Sequence, residues 1–198
     1  MRLAEQMRFL QEVDQLKHVM RQTLLIDQSR KENTAEHSWH VTLAAITLAE
    51  YADEPIDVMQ VIKMLLVHDI VEIDAGDTFA FDEAGHVDKY DRESRAAERI
   101  FGLLPDDQRD EFRALWDEFE AMQSADSRFA NAIDRILPFL HNIWIEGQGS
   151  WEVHHTRFDQ VYNRNKVGVG AISTELWEYT QQLIDHAVEQ GWLTKDNT

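Results

Sequence analysis

Three observations predict an all-α protein for this 198-residue chain. Only three prolines and eight glycines punctuate it, while Ala, Leu, Glu and Gln are plentiful. Pro55 and Pro105 stand where helices would begin, with acidic residues beside them that suit a helix N-terminus. After Pro105, Phe112, Leu115, Trp116 and Phe119 recur at helical rather than alternating spacing.

Helices are expected at roughly 3–22, 34–52, 56–74, 88–103, 106–122, 125–147, 152–165 and 172–191. The first follows the amphipathic run MRLAEQMRFLQEVDQLKHVM. The second has Thr34 as its expected N-cap, with Asn33 as the competing choice. The third starts at Pro55 and runs through DVMQVIKMLLVHDIVEI, in which VIKMLLV reads as buried support. The stretch GDTFAFDEAGHVD, 76–88, breaks the helical pattern with two glycines and is the longest expected loop, a place where substrates enter helical bundles. No repeat, low-complexity tract or linker divides the chain. Its length suits one domain over 1–198, with a core large enough to need no disulfides.

The formal net charge is −18, from 37 acidic and 19 basic residues. Such a surface repels polyanions, which argues against a nucleic-acid polymer or an anionic membrane as partner, but a metal and a few local cations can still receive a small phosphate. There are no cysteines, so any metal must be held by nitrogen and oxygen. The N-terminus lacks the apolar core of a signal peptide, and no run approaches 18 apolar residues; a soluble cytoplasmic protein is the expectation.

Within LLVHDIVEIDAGD, His68 and Asp69 are adjacent and Glu72 follows one turn later, so all three lean to one side of a helix. An isolated pair of this kind reads as a buried histidine satisfied by its neighbour. Two further helices alter that reading. His37 opens an otherwise apolar face with Val41, Ala44 and Leu48, and Asp134 sits among Ala132, Ile133, Ile136 and Leu137. A buried charge in an apolar stripe costs several kcal/mol, on the order of what only a partner or a cation offsets. Two imidazoles and two carboxylates suit one divalent ion such as Mn²⁺, Co²⁺, Fe²⁺, Ni²⁺ or Zn²⁺, and leave positions open for water and phosphate.

This arrangement resembles the HD-domain phosphohydrolases, and more narrowly their 5′-deoxynucleotidase branch with its YfbR-type enzymes. The resemblance rests on ENTAEHS at 32–38, LLVHDIVEIDAGD at 65–77 and the Asp134 helix, and extends through LKHVMRQ at 16–22 and DRESRAAERIFGLLP at 91–105. It covers about residues 8–145, with the helices of 150–192 expected to pack on that part. It implies an HD-domain helical bundle, a homodimer, and a small-molecule nucleotide substrate. By position it implies His37, His68, Asp69 and Asp134 as metal ligands. Glu72 and Asp77 then serve the attacking water and the substrate, and Arg21 and Asp77 bind substrate. Gln22 stands where that branch tends to carry an aromatic residue.

His40, His141, His154 and His155 read as packing, hydrogen-bonded or surface residues. Asp74 points away from Glu72 if the helix continues, and no tryptophan is assigned a base-stacking role. The alternatives are an HD hydrolase of guanosine tetraphosphate, a deoxynucleoside triphosphate or a cyclic nucleotide, and a non-catalytic helical metal-binding regulator.

Overall fold

The computed structural model describes residues 1–195, the Glu83 side chain excepted, so the end of the expected 1–198 unit lies outside the described residues. The chain opens with α1 (Arg2–Val13) and a 3₁₀ turn (Asp14–His18). It then forms a hairpin of β1 (Met20–Leu24) and β2 (Lys31–Asn33), with Met20 opposite Asn33 and Leu24 opposite Lys31. The helix expected over 3–22 thus ends early, and Arg21 lies on a strand. The connecting turn explains why: the Asp27 carboxylate accepts from Ser29 N at 3.0 Å and Ser29 Oγ at 2.7 Å, beside Gln28 at φ 58°. Side chains that bond the local backbone in this way favour turns over helix.

Next come α2 (Thr34–Leu48) and α3 (Val58–Val67), which continues through a 3₁₀ segment, His68–Val71, into the short α4 (Glu72–Ala75). The helix expected at 56–74 is therefore tightened where its polar residues begin. The α4 helix ends at Gly76, whose φ of 74° is inexpensive only for a residue without Cβ. The expected loop contains one turn of helix, α5 (Glu83–His86), before α6 (Lys89–Phe101), α7 (Asp106–Ala121) and α8 (Ala125–Trp144). Beyond α8 the expected 152–165 helix is split into α9 (Ser150–Val153) and α10 (Phe158–Gly168), with His155 at φ 49° in the break. The last helix is α11 (Thr174–Glu189).

The α3 helix is the hub, packed against α2, α7 and α8. Its Val61, Met64 and Leu65 are fully buried, while Lys63 and Leu66 face out. Trp116, Ile100, Phe101, Phe129 and Ile133 complete the centre of the core. The α10 helix packs on α8, and α11 on α10, so the C-terminal segment joins the bundle. No helix among the described residues is long and apolar enough to cross a membrane.

The N-cap of α2 is Asn33, not Thr34. Its side chain accepts from Glu36 N at 3.0 Å, and the Glu36 carboxylate accepts from Asn33 N at 3.1 Å, forming a capping box. Thr34 is thereby left free for a buried role. Asn33→Ala should cost about 1 kcal/mol of stability, measured by urea denaturation; an unchanged midpoint would show that the box contributes nothing.

Candidate metal centre

The capping box places His37 in the first turn of α2, fully buried. Its Nε2 lies 2.9 Å from Asp134 Oδ1 on α8 and 3.9 Å from Asp69 Oδ2. His68 Nε2 lies 3.1 Å from Asp69 Oδ1 and 3.6 Å from Asp134 Oδ1. The four residues expected from sequence thus converge from α2, the 3₁₀ segment and α8. His37, His68 and Asp69 present ligand atoms all within 4.8 Å of one another.

Each imidazole is oriented from behind. His68 Nδ1 donates to the Leu65 carbonyl at 2.9 Å, which turns Nε2 inward as a buried atom without a hydrogen bond. Glu32 Oε2 lies 3.5 Å from His37 Nδ1, so Nε2 of that ring also faces the carboxylates. Sequence reasoning passed over Glu32, which is buried on β2; an acidic residue just before the capping Asn33, on a strand that was not expected, gives no periodic signal.

Burial pulls both imidazoles toward neutrality, yet the carboxylates outweigh it and raise both, His68 strongly. Burial likewise opposes ionisation of Asp69 and Asp134. His68 and Arg21 nevertheless hold Asp69 at about 2, and the hydrogen bond to His37 together with the nearby His68 imidazole holds Asp134 well below the usual range. The two imidazoles and two aspartates form one set of nitrogen and oxygen donors that a divalent ion fits.

Asp69 and Glu72 are three residues apart, and in 3₁₀ geometry side chains at that spacing eclipse, so both reach one cavity. Glu72 is 6% exposed. Its Oε2 accepts from the Thr34 hydroxyl at 2.9 Å, and its Oε1 lies 3.8 Å from Arg21 Nη1. The turn at Gly76 brings Asp77 Oδ1 within 3.5 Å of the same guanidinium, which also bonds Asp69 Oδ2 at 2.9 Å. Burial, then the neighbouring Asp69, pushes Glu72 well above its ordinary value, and burial raises Asp77 too. Asp74 instead turns outward to pair with Arg99.

These groups line one side of a cavity of about 310 Å³. Its other walls are residues to which sequence reasoning gave no role. Phe79 and Phe81 from the 76–88 loop meet edge-on at 5.5 Å, and Phe139 faces Trp151 at 5.8 Å. Lys89 pairs with buried Glu93 at 3.3 Å, and Glu120, Arg135, Arg164 and Asn165 also line it. His154 and His155 are exposed, His154 stacking on Phe79 at 4.0 Å. His141 is buried, donates from Nδ1 to the Leu24 carbonyl at 3.2 Å, and places Nε2 3.4 Å from His40. Glu32 approaches this pair closely enough for the three to form a second nitrogen–oxygen cluster behind His37.

A helical bundle with imidazole and carboxylate donors gathered at the edge of a cavity defines a metal-dependent hydrolase class of site. The HD-domain profile matches residues 13–177. The crystal structure of a predicted metal-dependent phosphohydrolase from Magnetospirillum magnetotacticum MS-1 superposes with a TM-score of 0.89 at 52% identity, over 98% of this chain and 96% of that one. The chain belongs to the HD-domain family of metal-dependent phosphohydrolases. It is 31% identical over 130 residues to the human 5′-deoxynucleotidase HDDC2, and 32% identical over 130 residues to the mouse protein, in each case over 65% of this chain. The match spans 62% of the human relative's length and 64% of the mouse one's. The PH0347 protein of Pyrococcus horikoshii OT3 shares the fold, with a TM-score of 0.61 at 21% identity over 93% of this chain and 99% of that one.

Because imidazoles must lose a proton to bind a metal, Mn²⁺ binding by chelator-treated protein should release protons. Its affinity should rise as pH climbs past the ordinary histidine value of 6.5 toward the raised values. Calorimetric titration in buffers of different ionisation enthalpy measures both, and a pH-independent affinity would remove the histidines from the ligand set. Glu32→Gln should weaken Mn²⁺ binding about tenfold to a hundredfold by loosening His37. Asp69→Ala should abolish it.

Proposed function

We propose that the protein is a 5′-deoxynucleotidase that hydrolyses deoxyribonucleoside 5′-monophosphates to deoxyribonucleoside and phosphate. The convergence of His37, His68, Asp69 and Asp134 beside Glu72, at the edge of a cavity with aromatic walls, carries this reading. The likeness to the 5′-deoxynucleotidases named HDDC2 supports the choice of substrate.

His37, His68, Asp69 and Asp134 would hold one divalent ion, Mn²⁺, Co²⁺, Fe²⁺, Ni²⁺ or Zn²⁺, in a donor set that suits any of them. Once bound, the ion supplies Lewis acidity toward a phosphoryl oxygen and offsets charge as the ester bond breaks. Glu72 is the base. Thr34 occupies its Oε2, leaving Oε1 toward the cavity to orient a water and take its proton as the water oxygen bonds phosphorus. A raised affinity for protons suits that task, because a buried carboxylate accepts a proton more readily than an exposed one. As the phosphorus–O5′ bond breaks, Asp77 or the newly protonated Glu72 returns a proton to O5′, and Asp77 also meets the sugar hydroxyl. Arg21, held by Asp69, Glu72 and Asp77, positions these carboxylates and reaches the substrate.

A homodimer belongs to the same reading. Trp39, Leu43 and Ile46 form an exposed apolar stripe on α2, with Trp39 65% exposed, and Met59 and Leu66 extend the exposed apolar surface on α3. A second copy of the chain is the proposed cover.

Protein loaded with Mn²⁺ or Co²⁺ should release phosphate from dAMP and dTMP and lose that activity in EDTA. Release from ATP-like or cyclic substrates alone would redirect the assignment to another HD hydrolase, and no release from any nucleotide would leave a metal-binding regulator. Glu72→Gln should lower kcat by about 10²–10⁴ while retaining metal. In wild type, kcat/KM should rise with pH along a limb lying above the ordinary glutamate value of 4.5, because the base works only when ionised. That limb should vanish in Glu72→Gln.

A further inference from the structure

The cations lining the cavity are not equally committed. Arg21 lies within 3.8 Å of Asp69, Glu72 and Asp77, and Lys89 lies 3.3 Å from Glu93. Arg135 and Arg164 differ: among the described residues neither has a carboxylate partner. Arg135 has one hydrogen bond, to the Met122 sulfur at 3.2 Å, and Arg164 has none.

The two are also brought together. Arg135 follows Asp134 on α8, and its side chain lies across the α10 backbone at Gly168, where a Cβ would come within 2.9 Å of Arg135 Cδ. Arg164 is one turn earlier on α10 and therefore on the same face. Burial, and then the charge of Arg135, push Arg164 below its ordinary range, and the nearby Asp134 only partly opposes this. The adjacent Asn165 is 3% exposed and lines the same wall. Its Nδ2 donates to the Val161 carbonyl at 2.9 Å, which fixes the amide and leaves Oδ1 buried without a partner. Two half-buried guanidiniums without a carboxylate partner in one cavity wall are free to take an anion through charge-assisted hydrogen bonds.

We propose that Arg135 and Arg164 form the phosphate-binding wall of the cavity, taking the phosphate oxygens of the substrate that do not face His37, His68, Asp69 and Asp134. The inference rests on the reading of this cavity as a phosphohydrolase site, but not on the choice of nucleotide. A site rich in carboxylates repels a phosphate dianion, and Arg21 is already held by three of them, so the uncommitted guanidiniums supply the missing attraction. It also gives the C-terminal segment a role in the chemistry, because Arg164 comes from α10.

The test is binding of inorganic phosphate to the full-length Mn²⁺-loaded chain, followed by calorimetry, with metal content and melting temperature measured on every variant. Arg164→Gln and Arg135→Gln should each weaken phosphate about tenfold or more, with metal content unchanged and deoxyadenosine binding intact, and Arg164→Lys should recover part of the loss. Unchanged phosphate affinity in both Gln variants, loss of deoxyadenosine affinity with phosphate affinity retained, or no phosphate binding by the wild type would each overturn the proposal. Arginine-dependent phosphate binding by a protein that cleaves no 5′-nucleotide would support it while removing the nucleotidase reading.

Discussion

Buried charge is the constraint around which this bundle is organised. Asp69 and Asp134 lie against His37 and His68, and Asp69 shares Arg21 with Glu72 and Asp77. Removing a carboxylate from water costs several kcal/mol, on the order of what a close opposite charge restores, and only if the geometry is right. The facing imidazoles and Arg21 meet that requirement for Asp69 and Asp134. Every element around the site is placed so that this balance holds: α2 delivers one histidine, the 3₁₀ segment a histidine and an aspartate, and α8 the second aspartate.

Local backbone chemistry sets the precision of that placement. Because Asn33 and Glu36 close the first turn of α2 between themselves, Thr34 can spend its hydroxyl on Glu72. Tightening from α3 into 3₁₀ geometry stacks Asp69 over Glu72, and the left-handed turn at Gly76 redirects the chain so that Asp77 returns to the same guanidinium. On α8, Pro138 lies one turn beyond Asp134 and lines the cavity; lacking an N–H, it cannot cap the Asp134 carbonyl in the usual helical way. Each device acts within a few residues of a charged group.

The cavity itself is assembled from distant parts of the chain. The hairpin contributes Arg21 and Thr23 on one strand face, the 76–88 loop its phenylalanines, and the C-terminal helices Trp151, Arg164 and Asn165. Carboxylates and guanidiniums both line that cavity, Arg135 and Arg164 among the latter. Such local cations allow a chain of net charge −18 to present a cavity that can receive an anion.

The all-α class and the HD-type residues were legible in sequence because both are local patterns: helical periodicity, prolines at helix starts, and isolated charges in apolar stripes at His37, His68–Asp69 and Asp134. In the structure these residues converge, and Asp74 turns outward to Arg99. The β-hairpin was not legible, since its turn depends on one Asp27 side chain within a segment that otherwise continues a helical pattern. Nor was the choice of Asn33 over Thr34 as cap, which follows from the reciprocal bonds of Asn33 with Glu36. Glu32, Phe79, Arg135 and Arg164 lack any periodic signature, and their place in the site follows from which helix packs on which. Sequence alone determined which side chains are too costly to bury unpaired; only the tertiary structure decided their partners, because pairing across a bundle is set by packing and not by spacing along the chain.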